Sequence, residues 1–367
     1  MYETPPDFSL ELVNDPLVFS TASAASEVPA RPLIAYTLSA PILPTKNDRL
    51  GDWSVFQAFI AKTDIRIITQ SRIDSGSLGC GYIDDGTSFR VSSAMLTTYT
   101  TEGELRNKVA LKRIKQLNDD ENLEAVCLEI LALMHPPLRS HENIIDLLGL
   151  TWTTEVEHTI FPVLIVEFAE LGSLDKYLGN HHVDTAVRAI FCIGAADGLD
   201  VLHQCGIIHG DVKCENILIT RDSKGDLVPK IADFGFSLVL PPEQLTAKLF
   251  GTPRWNAPEL SDSNIPRSLD LLPLLDIYSY GLLVWRILKN GRDPFNGISA
   301  EDVLSLKVFE GNEVLRRAYE DVHNEVDGED PHFHVFVDIL KRTLPRDPLE
   351  RCRSLSWVKD SFKGQKM

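Results

Sequence analysis

One stretch of the chain restricts its possible folds more than any other. Residues 209–216 read His209-Gly210-Asp211-Val212-Lys213-Cys214-Glu215-Asn216, and after a short apolar strand comes Ile231-Ala232-Asp233-Phe234-Gly235. Two aspartates, a lysine and an asparagine are thereby set on loops bordered by apolar segments. Charged groups in such a setting need partners, because burying an uncompensated charge is costly. Either half alone is a modest signal. In this order, with one strand between them, the two make a strong one.

The remainder of the chain divides around this stretch. From Ile65 to Lys115, the residues Ile65, Ile67, Val91, Val109 and Leu111 alternate with polar neighbours, which is the period of strands. The Ser-, Thr- and Gly-rich insert from Asp84 to Asn107 reads as a long hairpin connection. Between 119 and 134 the period changes. Leu123, Val126, Ile130 and Leu133 or Met134 share one helical face, and Pro136-Pro137 ends that helix. Two short strands are expected near 144–151 and 161–168. Beyond Gly172 the pattern is mainly helical: Asp184 caps a helix running to Gln204 that Gly206 stops, and another helix is expected over 276–289. A strand-rich N-terminal part thus precedes a helix-rich C-terminal part. Residues 1–64 carry seven prolines and predict a partly ordered extension, with Leu33-Ile34 and Val55-Phe56 docking on the body.

Composition narrows the functional classes. The 367 residues are 44% hydrophobic, enough for one large two-lobed domain. The net charge of −17 argues against binding nucleic acid or an anionic membrane through bulk charge. The N-terminus lacks the basic start and apolar stretch of a secretory signal, and no apolar run is long enough to span a bilayer. No membrane insertion and a cytoplasmic or nuclear setting are therefore expected. The six cysteines form no CxxC pair and no zinc-ligand spacing, which fits reduced thiols.

Taken together, the motifs resemble those of the eukaryotic protein kinase family, in the family's order, from about residue 65 to 362. Ile73-Asp74-Ser75-Gly76-Ser77-Leu78-Gly79-Cys80-Gly81 resembles a Gly-rich loop over ATP phosphates, Val109-Ala110-Leu111-Lys112 the strand lysine motif, and Glu129 its helix partner. His141-Glu142-Asn143-Ile144, Gly251-Thr252-Pro253-Arg254-Trp255-Asn256-Ala257-Pro258-Glu259, Asp276–Gly281 and Arg351 fill further family positions. The resemblance implies an α+β bilobal fold: a small strand-rich N-lobe (65–168) with one key helix, a larger helical C-lobe (169–362), and a short tail at 363–367. It implies ATP and Mg²⁺ as ligands and a protein as substrate. Asp211, Lys213, Lys112 and Glu129 fall at catalytic positions, and Asn216 and Asp233 at metal positions. Ile73, Gly76, Gly79, Gly81, Ala110, Lys112, Glu167, Ala169 and Leu218 fall at nucleotide positions. Leu133, Leu147, His209 and Phe234 match an apolar spine between the lobes, and Arg351 matches the partner of Glu259.

Lys213 and Thr252 follow the serine/threonine pattern, and the wording around Trp255 is most similar to the tyrosine-kinase-like group. Small-molecule kinases of the aminoglycoside or choline type share the His-Gly-Asp wording, but they typically lack a lysine at the Lys213 position and the 251–259 segment. A pseudokinase scaffold typically loses Lys112, Asp211 or Asp233, all present here. Three positions depart from the family: Asp74 for a glycine, Gly81 for a valine, and Gly210 for an arginine. Asp74 is expected to repel the triphosphate and weaken ATP binding. Gly210 is expected to make activity independent of a phosphate on the 233–259 segment, where Ser237 and Thr246 are the free hydroxyls and Lys248 and Arg254 the nearest cations.

Overall fold

The computed structural model describes residues 60–61, 63–74, 82–85, 89–101, 103–114, 120–154, 160–240, 251–262 and 269–364. Expectations for residues 1–59, Gly76, Gly79, Gly81, Thr246 and Lys248 lie outside these.

The N-terminal part is one antiparallel sheet. Its strands are β1 (Ile73–Asp74), β2 (Tyr82–Asp85), β3 (Phe89–Thr100), β4 (Gly103–Ile114), β5 (Leu147–Thr154) and β6 (Ile160–Glu167), in the order β1-β3-β4-β6-β5 with β2 also on β3. The insert expected to be a connection is instead two strands of 12 residues each, paired from Phe89↔Ile114 to Thr100↔Gly103. Its alternation explains the difference. Ala94 and Leu96 are buried on one face, where they join Val109, Leu111, Val163, Ile165 and Ile68 in a small core. The opposite face carries Ala110, Leu164 and Val166, which join the main core of the molecule.

Helix α1 (Asp120–Met134) contributes Val126, Ile130 and Leu133 to that main core. It ends one residue before the short helix α2 (Pro136–Arg139), which opens on the expected proline pair. The chain then touches the C-terminal part through 143–145 before it returns to the sheet as β5. Ile145 N–H donates to Ile231 O at 3.0 Å, Ile231 N–H donates to Asn143 O at 2.8 Å, and Asn143 Nδ2 donates to Pro229 O at 2.8 Å. This stitch ties the sheet to the strand that leads into Asp233.

The C-terminal part is helical: α3 (Leu174–Asn180), α4 (Thr185–Gln204), α5 (Pro273–Leu288), α6 (Ala300–Phe309), α7 (Glu313–Glu325), α8 (Phe333–Thr343) and α9 (Trp357–Lys363). Asp184 caps α4 by accepting from Val187 N–H at 2.9 Å, and Gly206 takes φ +73° just past its end. Two small sheets, β7 (Ile207–Ile208) with β10 (Leu238–Val239) and β8 (Ile217–Arg221) with β9 (Leu227–Ile231), frame the polar loops singled out above. Helix α5 begins three residues earlier than expected and is buried around nearly its whole circumference. A helix apolar on every side belongs at the centre of a large domain.

One ion pair fastens this centre. Arg351 is fully buried and donates to Glu259 Oε1 at 2.6 Å and Oε2 at 2.9 Å, and to the carbonyls of Pro345, Leu274 and Arg346. Every side of the guanidinium is satisfied, which is what makes such a buried charge tolerable. Arg351→Ala would leave Glu259 buried without its counter-charge. We expect it to lower the free energy of unfolding by about 3–5 kcal/mol, measured by urea denaturation.

Candidate active site

Three charged side chains converge between the two parts. Lys112 comes from near the C-terminal end of β4, Glu129 from α1, and Asp233 from the loop after β9. Lys112 Nζ lies 2.7 Å from Glu129 Oε2 and 2.8 Å from Asp233 Oδ1. Burial by itself lowers the Lys112 pKa, but Asp233 and Glu129 together outweigh it and hold the ammonium above its ordinary range. Burial likewise acts to raise Asp233, and Lys112 reverses it, so this carboxyl lies below its usual value. Asp233 also adopts φ +65°, a left-handed conformation that a non-glycine residue takes only under constraint. Phe234 supplies that constraint. It is fully buried, with its ring edge-on to His209 at 5.4 Å. Leu133 is buried in the same core, and Leu147 packs against it.

The loop after β7 presents Asp211, which accepts four donors. Thr252 N–H and Oγ1–H donate to Oδ1, each at 2.8 Å. Asn216 Nδ2 donates to Oδ2 at 2.9 Å, and Lys213 Nζ lies 2.6 Å from it. Lys213 also donates to Thr252 Oγ1 at 2.7 Å. The loop itself hangs from Asp276 of α5, whose carboxylate accepts His209 N–H at 2.7 Å and Gly210 N–H at 2.9 Å. His203 Nε2 lies 2.9 Å from the same carboxylate. His209 accepts Asp211 N–H at Nδ1, so its Nε2 carries the proton and donates to Ala232 O at 3.1 Å.

Among the described residues no group of three or more His, Cys, Asp or Glu could hold a metal by itself. Asn216 and Asp233 nevertheless fit a hard cation. The Asn216 amide nitrogen is committed to the Asp211 carbonyl and carboxylate, which leaves its oxygen as the available donor. Asp233 bonds Lys112 through Oδ1 and keeps Oδ2. Two hard oxygens completed by phosphate oxygens suit Mg²⁺.

Among the residues expected on the nucleotide side, Ile73 is placed differently by the structure. Strands β1 and β2 both pair antiparallel with β3, so they run in the same direction and are not paired with each other. Ile73 pairs with Leu96 and packs on the small outer core, so its side chain faces away from Lys112. Phe89 and Val91 instead occupy the face that carries Ala110 and Lys112, and the Lys112 ammonium lies 4.3 Å from the Phe89 ring centre. Val91 thus lies on the Lys112 side of the sheet, and the signal for it in the sequence is the alternation Phe89-x-Val91 after Gly86. Asp74 pairs with Arg106 at 3.2 Å, with both side chains about half exposed, so its charge has a counter-ion. Glu167 N–H is taken by Asp146 O, and the Glu167 carboxylate pairs with Lys230 at 2.6 Å. Leu218 bridges to Ser173 and packs, like Ala110, with the main core. Ala169 O accepts Gly172 N–H at 3.1 Å.

A family model described as "Protein kinase domain" matches residues 95–362, and the chain belongs to that family. It is similar to the human serine/threonine-protein kinase PAK 4, with 28% identity over 73% of this chain and 40% of that one. Serine/threonine-protein kinase ATG1b of Arabidopsis thaliana is 30% identical over 66% of this chain and 31% of its own. Tyrosine kinase receptor Cad96Ca of Drosophila melanogaster is 32% identical over 55% and 26%. The chain thus spans well under half the length of these relatives. No helix among the described residues is long and apolar enough to cross a membrane.

Lys112→Met would strand Glu129, which is 2% exposed and whose carboxyl burial already pushes above its ordinary value. We expect a stability loss of about 3–5 kcal/mol near neutral pH. The raised carboxyl is stable when protonated and unstable when charged, so the loss should shrink as pH falls and Glu129 takes up a proton. Urea titrations of both proteins at several pH values would show this.

Proposed function

We propose that the protein transfers the γ-phosphate of ATP to serine or threonine hydroxyls of protein substrates. The observation that carries the reading is the pair of constellations facing one cleft: Lys112 bound by Glu129 and Asp233, and Asp211 held by Lys213, Thr252 and Asn216. Phosphoryl transfer needs positioned charge more than covalent chemistry. Lys112 holds the α- and β-phosphates. Asp211 orients the acceptor hydroxyl and takes its proton. Its four donors saturate the carboxylate, so an incoming hydroxyl displaces one of them, and the rotatable Thr252 hydroxyl is the simplest to move. Lys213 keeps one N–H beyond its two contacts for the transferring phosphoryl group. Asn216 and Asp233 would hold a divalent cation, which would supply charge neutralisation at the phosphates. The Lys213–Thr252 contact supports serine and threonine as acceptors, since that lysine and threonine mark the enzymes this chain resembles in the loop.

The pure chain with labelled ATP, Mg²⁺ and a peptide library tests activity and acceptor preference together. Asp211→Asn should reduce turnover by a factor on the order of 10² or more, the scale of a general base. Transfer by that variant at the normal rate would remove Asp211 from the reaction.

Gly210 bears on regulation. It adopts φ +80°, and a Cβ there would lie 2.5 Å from Phe236 O. No side chain reads a phosphate from this position. Ser237, expected to be a free hydroxyl, is buried and donates to His209 O at 3.2 Å, so it is no accessible phosphorylation site. Phosphatase-treated protein should therefore keep its initial rate. A tenfold drop, about 1.4 kcal/mol of barrier, would reveal a phosphate switch elsewhere in the chain.

A further inference from the structure

Lys307 is a cation inside the C-terminal core, and nothing in the reaction above uses it. It lies on α6 among Val303, Leu306 and Val308, and is 2% exposed. Its ammonium donates to the carbonyls of Arg254 at 2.7 Å and Asn256 at 2.8 Å. The rings of Tyr278 and Phe295 lie 5.6 and 5.4 Å from it. Those carbonyls belong to the segment that begins at Thr252, the residue bonded to Asp211. On its other side the Tyr278 ring faces Arg351, the partner of Glu259, at 4.7 Å. The segment 252–259 is therefore held at one end by Asp211, in the middle by Lys307, and at the far end by Arg351. The Arg254 side chain adds a fourth tie, to Asp293 and the carbonyls of Ile298 and Phe295.

A buried ammonium is an expensive way to make two hydrogen bonds. A methionine would fill the same volume without desolvation, and exchanging buried charges for apolar groups is often neutral or stabilising. Stability alone does not account for this lysine. Its distinctive product is a fixed path for the backbone of Arg254–Asn256, beside the residue that must yield to the acceptor hydroxyl. We propose that Lys307 is a positioning residue that shapes the peptide-docking segment for protein substrates, acting through the backbone of Arg254 and Asn256.

The protonation of Lys307 gives an independent handle. Burial, reinforced by the neighbouring Arg254 charge and only partly offset by Glu259, lowers its pKa from 10.5 to about 7. The charged groups that face it are Arg254 on the segment and Glu259 beyond it, with Arg351 across the Tyr278 ring and Tyr278 itself on α5. A neutral amine still has two N–H groups for the two carbonyls, but it loses the charge that strengthens them. The folded state releases this proton before the unfolded state does. This group therefore adds stability as pH rises above about 7, while its hold on the segment weakens.

The test is Lys307→Met in the full chain. Hydrogen exchange requires no activity and is read first. The amides of Trp255 and Asn256, now bonded to Thr252 O and Pro253 O, should exchange at least tenfold faster in the variant, with the melting temperature unchanged or raised. Unchanged exchange overturns the proposal, whatever the kinetics show. The kinetic arm rests on the phosphotransfer reading. The KM for peptide should rise about tenfold in the variant, with the KM for ATP moving less than twofold. In the natural protein the peptide KM should climb as pH passes through about 7, and in the variant this slope should vanish. A parallel rise in both KM values, or a pH slope kept by the variant, would reduce Lys307 to a structural role. A natural chain that transfers no phosphate to any peptide fails the functional reading alone and leaves the exchange result to decide this one.

Discussion

A carboxylate that is 1% exposed must be surrounded by donors, and Asp276 is the group on which the arrangement of the site depends. Two consecutive backbone N–H groups, of His209 and Gly210, and the His203 ring converge on it. Burial raises the pKa of such a group, yet His203, His209 and Gly210 together outweigh burial and hold it below the usual carboxylate range. Because Asp276 sits in the first turn of a helix buried nearly all round, it cannot shift without disturbing the whole core. Asp211 follows His209 by two residues, so its position is inherited from α5. The loop that carries Asp211 is held in place by a buried anchor.

The second constellation is built differently. Lys112, Glu129 and Asp233 come from three elements that meet only when the sheet, α1 and the β8–β9 hairpin are packed. Their mutual contacts therefore depend on the fit between the two parts of the molecule. The stitch at 143–145 fixes β9 relative to the sheet, and Phe234 buries itself against His209, which joins the two constellations through their apolar backs. The polar faces that remain point into the cleft. Preorganised charge with its supporting side chains locked by packing is what a reaction dominated by electrostatics requires.

Much of this was legible in the sequence because each motif puts its polar residues within a few positions of one another, next to apolar residues that fix their direction. Asp211 and Asn216 read this way, as do Asp233 and Phe234. The helix caps at Asp184 and Gly206 were local signals of the same kind. What was not legible depended on pairing across distance. The stretch 73–81 has glycines at a suggestive spacing, but only the register against β3 shows that Ile73 faces outward and that Val91 faces the cleft. Ser237 reads as a free hydroxyl until its bond to His209 O is seen. Nothing in the sequence marks Lys307 as buried, since lysine is seldom buried. Its partners are backbone carbonyls some 50 residues away, as the separations of 53 and 51 positions show, and carbonyls leave no mark in a sequence.

Gly210 shows how a departure from the family pattern can be read in physical terms. Its positive φ lets both of its neighbours' functions coexist: the N–H turns to Asp276 while the carbonyl turns toward Gly251. A Cβ on Gly251 would lie 2.2 Å from that carbonyl and 3.0 Å from Asp211 Oδ1. The loop that carries Asp211 and the 251–259 segment thus meet backbone to backbone, at a distance that a side chain on Gly251 would forbid. That contact brings Thr252 N–H within 2.8 Å of Asp211. The glycine in place of arginine removes a cation, and it also removes the left-handed strain that any side chain would bring to this position. Two glycines and one buried carboxylate thus meet at the turn that carries Asp211.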